Sequence, residues 1–151
     1  METAAKAETM LDRMEKMISG ELPDPPIAQL LGLRVISVLP GESRLELDAG
    51  PQHANPMGTL HGGVLCDLAD LAMGAAYAST LGHGETFTTL ELKINFLRPV
   101  WEEKLFAVGK IVNRGHTIGM VECDITDSQG RLVAKSTSTC MTLQKEKHRN
   151  R

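Results

Sequence analysis

Residues 61–81 read His-Gly-Gly-Val-Leu-Cys-Asp-Leu-Ala-Asp-Leu-Ala-Met-Gly-Ala-Ala-Tyr-Ala-Ser-Thr-Leu, and no other stretch constrains the fold of this chain as strongly. Val64, Leu65, Leu68, Leu71, Ala72, Ala75 and Ala76 recur at helical spacing and form one apolar stripe. At ~1.5 Å per residue this predicts a helix about 30 Å long. Its wealth of Ala and Gly is the informative part. Small side chains let other backbone come close, as a sheet wrapped around the helix requires.

The flanking sequence has a different period. Residues 33–39 and 44–48 read as strands joined by the Pro-Gly-Glu-Ser turn at 40–43, and residues 51–60 form a loop with Pro and Gly. Four further strands are expected at 86–97, 105–112, 118–126 and 131–142, with turns at Pro99, 113–115 and 128–130. Connections this short suit antiparallel neighbours. Two strands, one long helix and four strands predict an α+β domain over residues 33–143.

Ahead of it, Met10, Leu11, Met14, Met17 and Ile18 predict an amphipathic helix over 4–19, whose methionines pack on the core or on a second subunit rather than line a tunnel. The run Pro-Asp-Pro-Pro at 23–26 then breaks the chain before a short helical turn at 27–31. Residues 1–32 are thus a helix and linker, and 144–151 a charged tail.

A chain of 151 residues suits one domain. Apolar residues make up 42% and charged ones 23%, ordinary values that exclude disordered and collagen-like classes. The net charge of −3, with acids and bases interspersed, gives no footprint for nucleic acid. No apolar stretch in 1–18 is long enough for a signal peptide or membrane span, so a cytoplasmic protein without membrane attachment is expected. Cys66, Cys123 and Cys140 are odd in number and widely spaced, which favours reduced, buried thiols. His53 with His61, or His83 between two glycines, makes no convincing metal set, and there is no Gly-rich nucleotide loop; no metal or cofactor is expected.

Chemistry concentrates where the loop meets the long helix. Gly62 and Gly63 leave room for a ligand to approach their backbone, and N–H groups at a helix start lack intrahelical acceptors. Such donors at the positive end of a helix suit a developing acyl oxyanion, and one of them is worth roughly 3 kcal/mol of barrier lowering. Asp70 lies eight residues beyond Gly62, roughly 12 Å along the axis. No small reacting group spans that gap. If Gly62 holds an oxyanion while Asp70 acts as base or nucleophile, the two come from different copies of the chain, with antiparallel helices and sites at a dimer interface.

Asn55, His61, Gly62, Gly63 and Asp70, followed by Thr-Thr-Leu-Glu-Leu-Lys-Ile-Asn-Phe-Leu-Arg-Pro at 88–99, resemble the hotdog-fold acyl-CoA thioesterases, in particular the PaaI-like group. The resemblance covers about 33–143. It implies a curved antiparallel sheet wrapped around the central helix, an acyl-CoA substrate, and a homodimer assembling further into a homotetramer. It selects Asp70 as the catalytic acid over Asp67, one turn earlier, which reads as a solvated or interface carboxylate. Asp70 itself is expected to be partly desolvated, with its pKa raised.

The resemblance further implies that His61 and Asn55 orient the thioester carbonyl and the attacking water. The alternative for Asn55 is a loop side chain bonding its own backbone. The strand at 86–97 alternates, with Leu90, Leu92, Ile94 and Phe96 on the face covering the helix and Thr89, Glu91, Lys93 and Asn95 on the other. By resemblance it is the sheet edge that pairs with its twin, and Thr89 stands near the attacking water. Phosphate binding needs cations, and Arg98 and the Arg114, Gly115, His116 turn are the candidates, with Lys93 close by. Two other readings use the same fold: a non-catalytic acyl-CoA-binding module, and a hydratase or dehydratase acting on acyl thioesters.

Overall fold

A computed structural model describes residues 7–144. Helices α1 (Met10–Ser19) and α2 (Pro26–Leu31) precede β1 (Leu33–Leu39) and β2 (Glu42–Ala49). A 3-10 turn, Pro51–His53, leads through the loop to α3 (Gly62–Ala78), and β3 (Glu85–Phe96), β4 (Glu103–Arg114), β5 (Ile118–Thr126) and β6 (Leu132–Gln144) complete the described residues. The six strands form one antiparallel sheet in the order β1-β2-β4-β5-β6-β3. The β2-to-β3 connection carries α3 across one face, which puts β3 at an edge.

The predicted order of elements holds, with shifted ends. Thr9 caps α1, accepting from the Asp12 N–H while Asp12 reaches back to the Thr9 N–H, so the helix starts at Met10 instead of running through residues 7–9. The predicted residues 4–6, and 145–151 of the tail, lie outside the described residues. The first hairpin is tighter than expected: Leu39 pairs with Glu42 across Pro40-Gly41, and Gly41 takes φ +82°.

α3 is shorter than the periodicity suggests, about 25 Å, because His61 and Ser79 are its caps. Leu65, Leu68, Met73 and Tyr77 are buried along it, each worth about 1.5–3 kcal/mol relative to exposure. The Tyr77 hydroxyl shares a hydrogen bond of 2.7 Å with Thr142 Oγ1. Small residues do bring the sheet close. Ser43 Oγ donates to the Ala72 carbonyl at 2.6 Å, and a Cβ on Gly109 of β4 would lie 2.4 Å from that same oxygen. α1 lies beside β1 with Met14 buried in the core, as the methionine stripe predicts.

β3 departs from strict alternation. Thr89 pairs with Cys140 and Glu91 with Thr139, so Leu90 is an extra residue opposite one step of β6. The bulge switches faces. Thr89 and Phe87 share the helix-facing side with Leu92 and Ile94, while Leu90 is 52% exposed. The expected pattern, with Leu90 on the helix and Thr89 pointing away, is corrected on this point. Phe96 keeps its predicted phase but is 54% exposed at the strand end.

Candidate functional site

The bulge at Leu90 brings Thr89 onto Asp70. Thr89 Oγ1 donates to Asp70 Oδ1 at 3.0 Å, fixing one carboxylate oxygen. Asp70 is exposed in the single chain, against the expected desolvation, because it lies on the flank of α3 beside the free edge of β3. At Asp67, partial burial and then the charge of Asp70 push the carboxyl above the usual range.

The other half of the site forms at the N-terminus of α3. His61 is the N-cap, and its Nδ1 accepts from the Gly63 N–H at 2.8 Å, which leaves the proton on Nε2. The Gly62 N–H has no acceptor among the described residues. Phe96 packs against the Cα side of Gly62. A Cβ on Gly62 would lie 2.8 Å from Phe96 Cζ, so any side chain there displaces the ring. α3 is continuous from Gly62 to Asp70, so the ~12 Å separation within one chain stands.

Asn55 is engaged in its own loop. Its Oδ1 accepts from the Met57 and Thr59 N–H groups at 2.9 and 3.2 Å, and its Nδ2 donates to Thr59 Oγ1 at 2.8 Å. The self-bonding alternative is therefore what the single chain adopts. His53, considered in the sequence only as a metal ligand, proves to be an anchor. Its Nδ1 accepts from Gly50 and its Nε2 donates to the Leu31 carbonyl at 2.8 Å, while its own carbonyl receives the His61 N–H at 2.9 Å. The C-terminal end of α2 is thereby tied to the loop bearing His61. No feature of a lone loop histidine announces that role.

The candidate cations lie apart. Arg98 follows β3, in a loop tethered to the His61 loop by the Leu60 N–H to Val100 carbonyl bond of 2.7 Å, and has no ion pair among the described residues. Arg114, Gly115 and His116 sit at the far end of α3. Arg114 stacks over the Tyr77 ring at 4.6 Å, donates to Thr80 Oγ1 at 3.1 Å and bonds the carbonyls of Gly115 and His116. It is occupied locally. Among the described residues no three His, Cys, Asp or Glu side chains form a set able to hold a metal, and no helix is long and apolar enough to cross a membrane.

The described residues thus place an aligned carboxylate at one position on α3 and a helix-terminal N–H without an acceptor at its start. A family model for the thioesterase superfamily matches residues 57–134, from the loop before His61 into β6. The chain belongs to the thioesterase superfamily, in its hotdog-fold form. A protein of Saccharolobus solfataricus named as an esterase is 32% identical over 78% of this chain and 83% of its own. Acyl-coenzyme A thioesterase 13 of Pongo abelii is 24% identical over 87% of this chain and 95% of its own. Among solved structures, a phenylacetic acid degradation-related protein of Ralstonia eutropha JMP134 superposes with a TM-score of 0.78 at 31% identity, over 85% of this chain and 98% of that one.

Proposed function

We propose that this chain hydrolyses acyl-CoA thioesters in the cytoplasm, at sites shared between two copies. The observation that carries the reading is the bond from Thr89 Oγ1 to Asp70 Oδ1. It orients the carboxylate and leaves Oδ2 open as a base. Water attacks the thioester carbon, Asp70 takes its proton, and the new oxyanion lies against the Gly62 N–H of the second copy, with His61 Nε2–H as a further donor. The tetrahedral intermediate then collapses, the C–S bond breaks, and the proton held by Asp70 passes to the departing CoA thiolate. Asn55 acts through the shape of the His61 loop.

Two features support a shared site. Gly62 and Asp70 of one chain are too far apart to act on one carbonyl. β3, at twelve residues, is a long edge strand with no partner on its outer side among the described residues, and it exposes Leu90 and Phe96. Such an edge invites pairing. A second β3 laid against it would bring two α3 helices antiparallel and cover Asp70, with the nucleotide of CoA running toward Arg98. For the cytoplasm, Cys66, Cys123 and Cys140 are all free thiols.

The test combines thiol release with sedimentation. The wild-type protein should hydrolyse at least one of acetyl-, hexanoyl-, decanoyl- and phenylacetyl-CoA while sedimenting as a dimer or larger. A monomer with full turnover at assay concentration would refute the shared site. Tight binding of every ester without turnover would favour the acyl-CoA-binding module.

A further inference from the structure

A groove of about 230 Å³ opens beside Asp70 and Thr89. It follows α3 along Asp70, Leu71, Gly74 and Ala78, eight residue steps or roughly 12 Å of helix. Phe87 of β3 flanks it, with its ring packed so closely on Gly74 that a Cβ there would lie 3.2 Å from Phe87 Cζ. The opposite wall is α1. Met10, Met14 and Met17, one per turn, all face this space. The stripe that packs α1 onto the core also lines a channel that ends at the candidate base, and α1 lies outside the stretch that matches the family model.

We infer that the methionine wall of α1 makes this groove the acyl subsite, selecting a flexible aliphatic acyl group of medium length over a short or hydroxylated aromatic one. This rests on the thioesterase reading. The space exceeds the cavity of about 150 Å³ that accepts a benzene ring, and it is long rather than round. Past Asp70 and Thr89 every side chain on it is apolar, so a ring hydroxyl carried inward would lose its water without gaining a partner. Methionine walls adapt to chains of differing length and kink, whereas a wall of branched side chains fits one shape.

The experiment measures kcat/KM for acetyl-, hexanoyl-, octanoyl-, decanoyl- and 4-hydroxybenzoyl-CoA with the full chain. Wild type should gain about fourfold for each methylene buried, up to a plateau set by the groove. Met17→Trp, which fills the wall, should cut the ratio of octanoyl to acetyl kcat/KM at least tenfold, and Met10→Ala/Met17→Ala should move the plateau to longer chains. Melting curves establish that α1 stays docked. A flat chain-length profile with acetyl-CoA turned over would overturn the subsite and leave the thioesterase reading intact. A rising profile that ignores both variants would remove α1 from it, and faster turnover of 4-hydroxybenzoyl-CoA would overturn the aliphatic preference. Hydrolysis of phenylacetyl-CoA with none of the five turned over would overturn this inference and keep the thioesterase reading, and hydrolysis of none of the six would overturn both.

Discussion

Asp70→Asn should lower kcat for the best CoA ester by at least about a hundredfold, the lower end of what a positioned general base contributes. The substitution preserves shape, and the amide oxygen still accepts from Thr89 Oγ1, so the loss isolates basicity from geometry. Ester binding and oligomeric state should be retained. Asp67→Asn should cost little by comparison. Its carboxyl lies one turn away, held above its usual range first by burial and then by the charge of Asp70, and among the described residues no hydrogen bond aligns it toward a substrate. Steady-state hydrolysis by both variants, with sedimentation alongside, separates the two. An inactive Asp67→Asn beside an active Asp70→Asn would move the site by one helical turn.

Gly109→Ala should be the most damaging single methyl in the fold. Its Cβ would sit 2.4 Å from the Ala72 oxygen and 2.6 Å from the Ala72 carbonyl carbon, both helix backbone that no rotamer change moves aside. Ser43 Oγ already holds that carbonyl from β2. α3 would have to lift off the sheet at its middle. Overpacking of this kind costs about 1–3 kcal/mol and more where backbone is the obstacle. At about 2–4 °C per kcal/mol for a chain of this size, Tm should fall by roughly 10 °C. Lys110→Ala, next along β4 but paired among the described residues only with exposed Glu42 at 3.8 Å, should change Tm little. Equal melting of Gly109→Ala and wild type would show that the close approach of β4 to α3 is not held at Gly109.

The helix at the centre and the order of strands around it were legible because the two periods, 3.6 and 2, are written in side chains with few conflicts. The small residues of α3 foretold the close approach that Ala72 and Gly109 display. What escaped the sequence depends on contacts distant in the chain. The bulge in β3 has a local trace: Phe87 is apolar at an odd position, whereas Leu92 and Ile94 are apolar at even ones, and strict alternation cannot satisfy both. Leu90, apolar but exposed, concealed the change of phase. Arg114 resembled a free cation because nothing nearby in sequence reveals the Tyr77 ring beneath it or the Thr80 hydroxyl beside it. Neither the ring of Phe96 over Gly62 nor the link from His53 to Leu31 has any local signature.

Mixing two inactive variants tests the shared site most directly. Asp70→Asn removes the base, and Gly62→Pro removes the N–H while suiting the first position of a helix. His61, at φ −63° and ψ 130°, already has the backbone a following proline requires, and the exposed Phe96 ring can swing away from the new side chain. Each variant alone should be nearly inactive. In a mixed dimer one site joins the intact Asp70 of one chain to the intact Gly62 of the other, and the second site carries both lesions. Unfolding and refolding the two in equal amounts should therefore restore about a quarter of wild-type turnover, since half the dimers are mixed and half their sites are whole. No recovery, with mixed dimers shown to have formed, would contradict a site built from two copies.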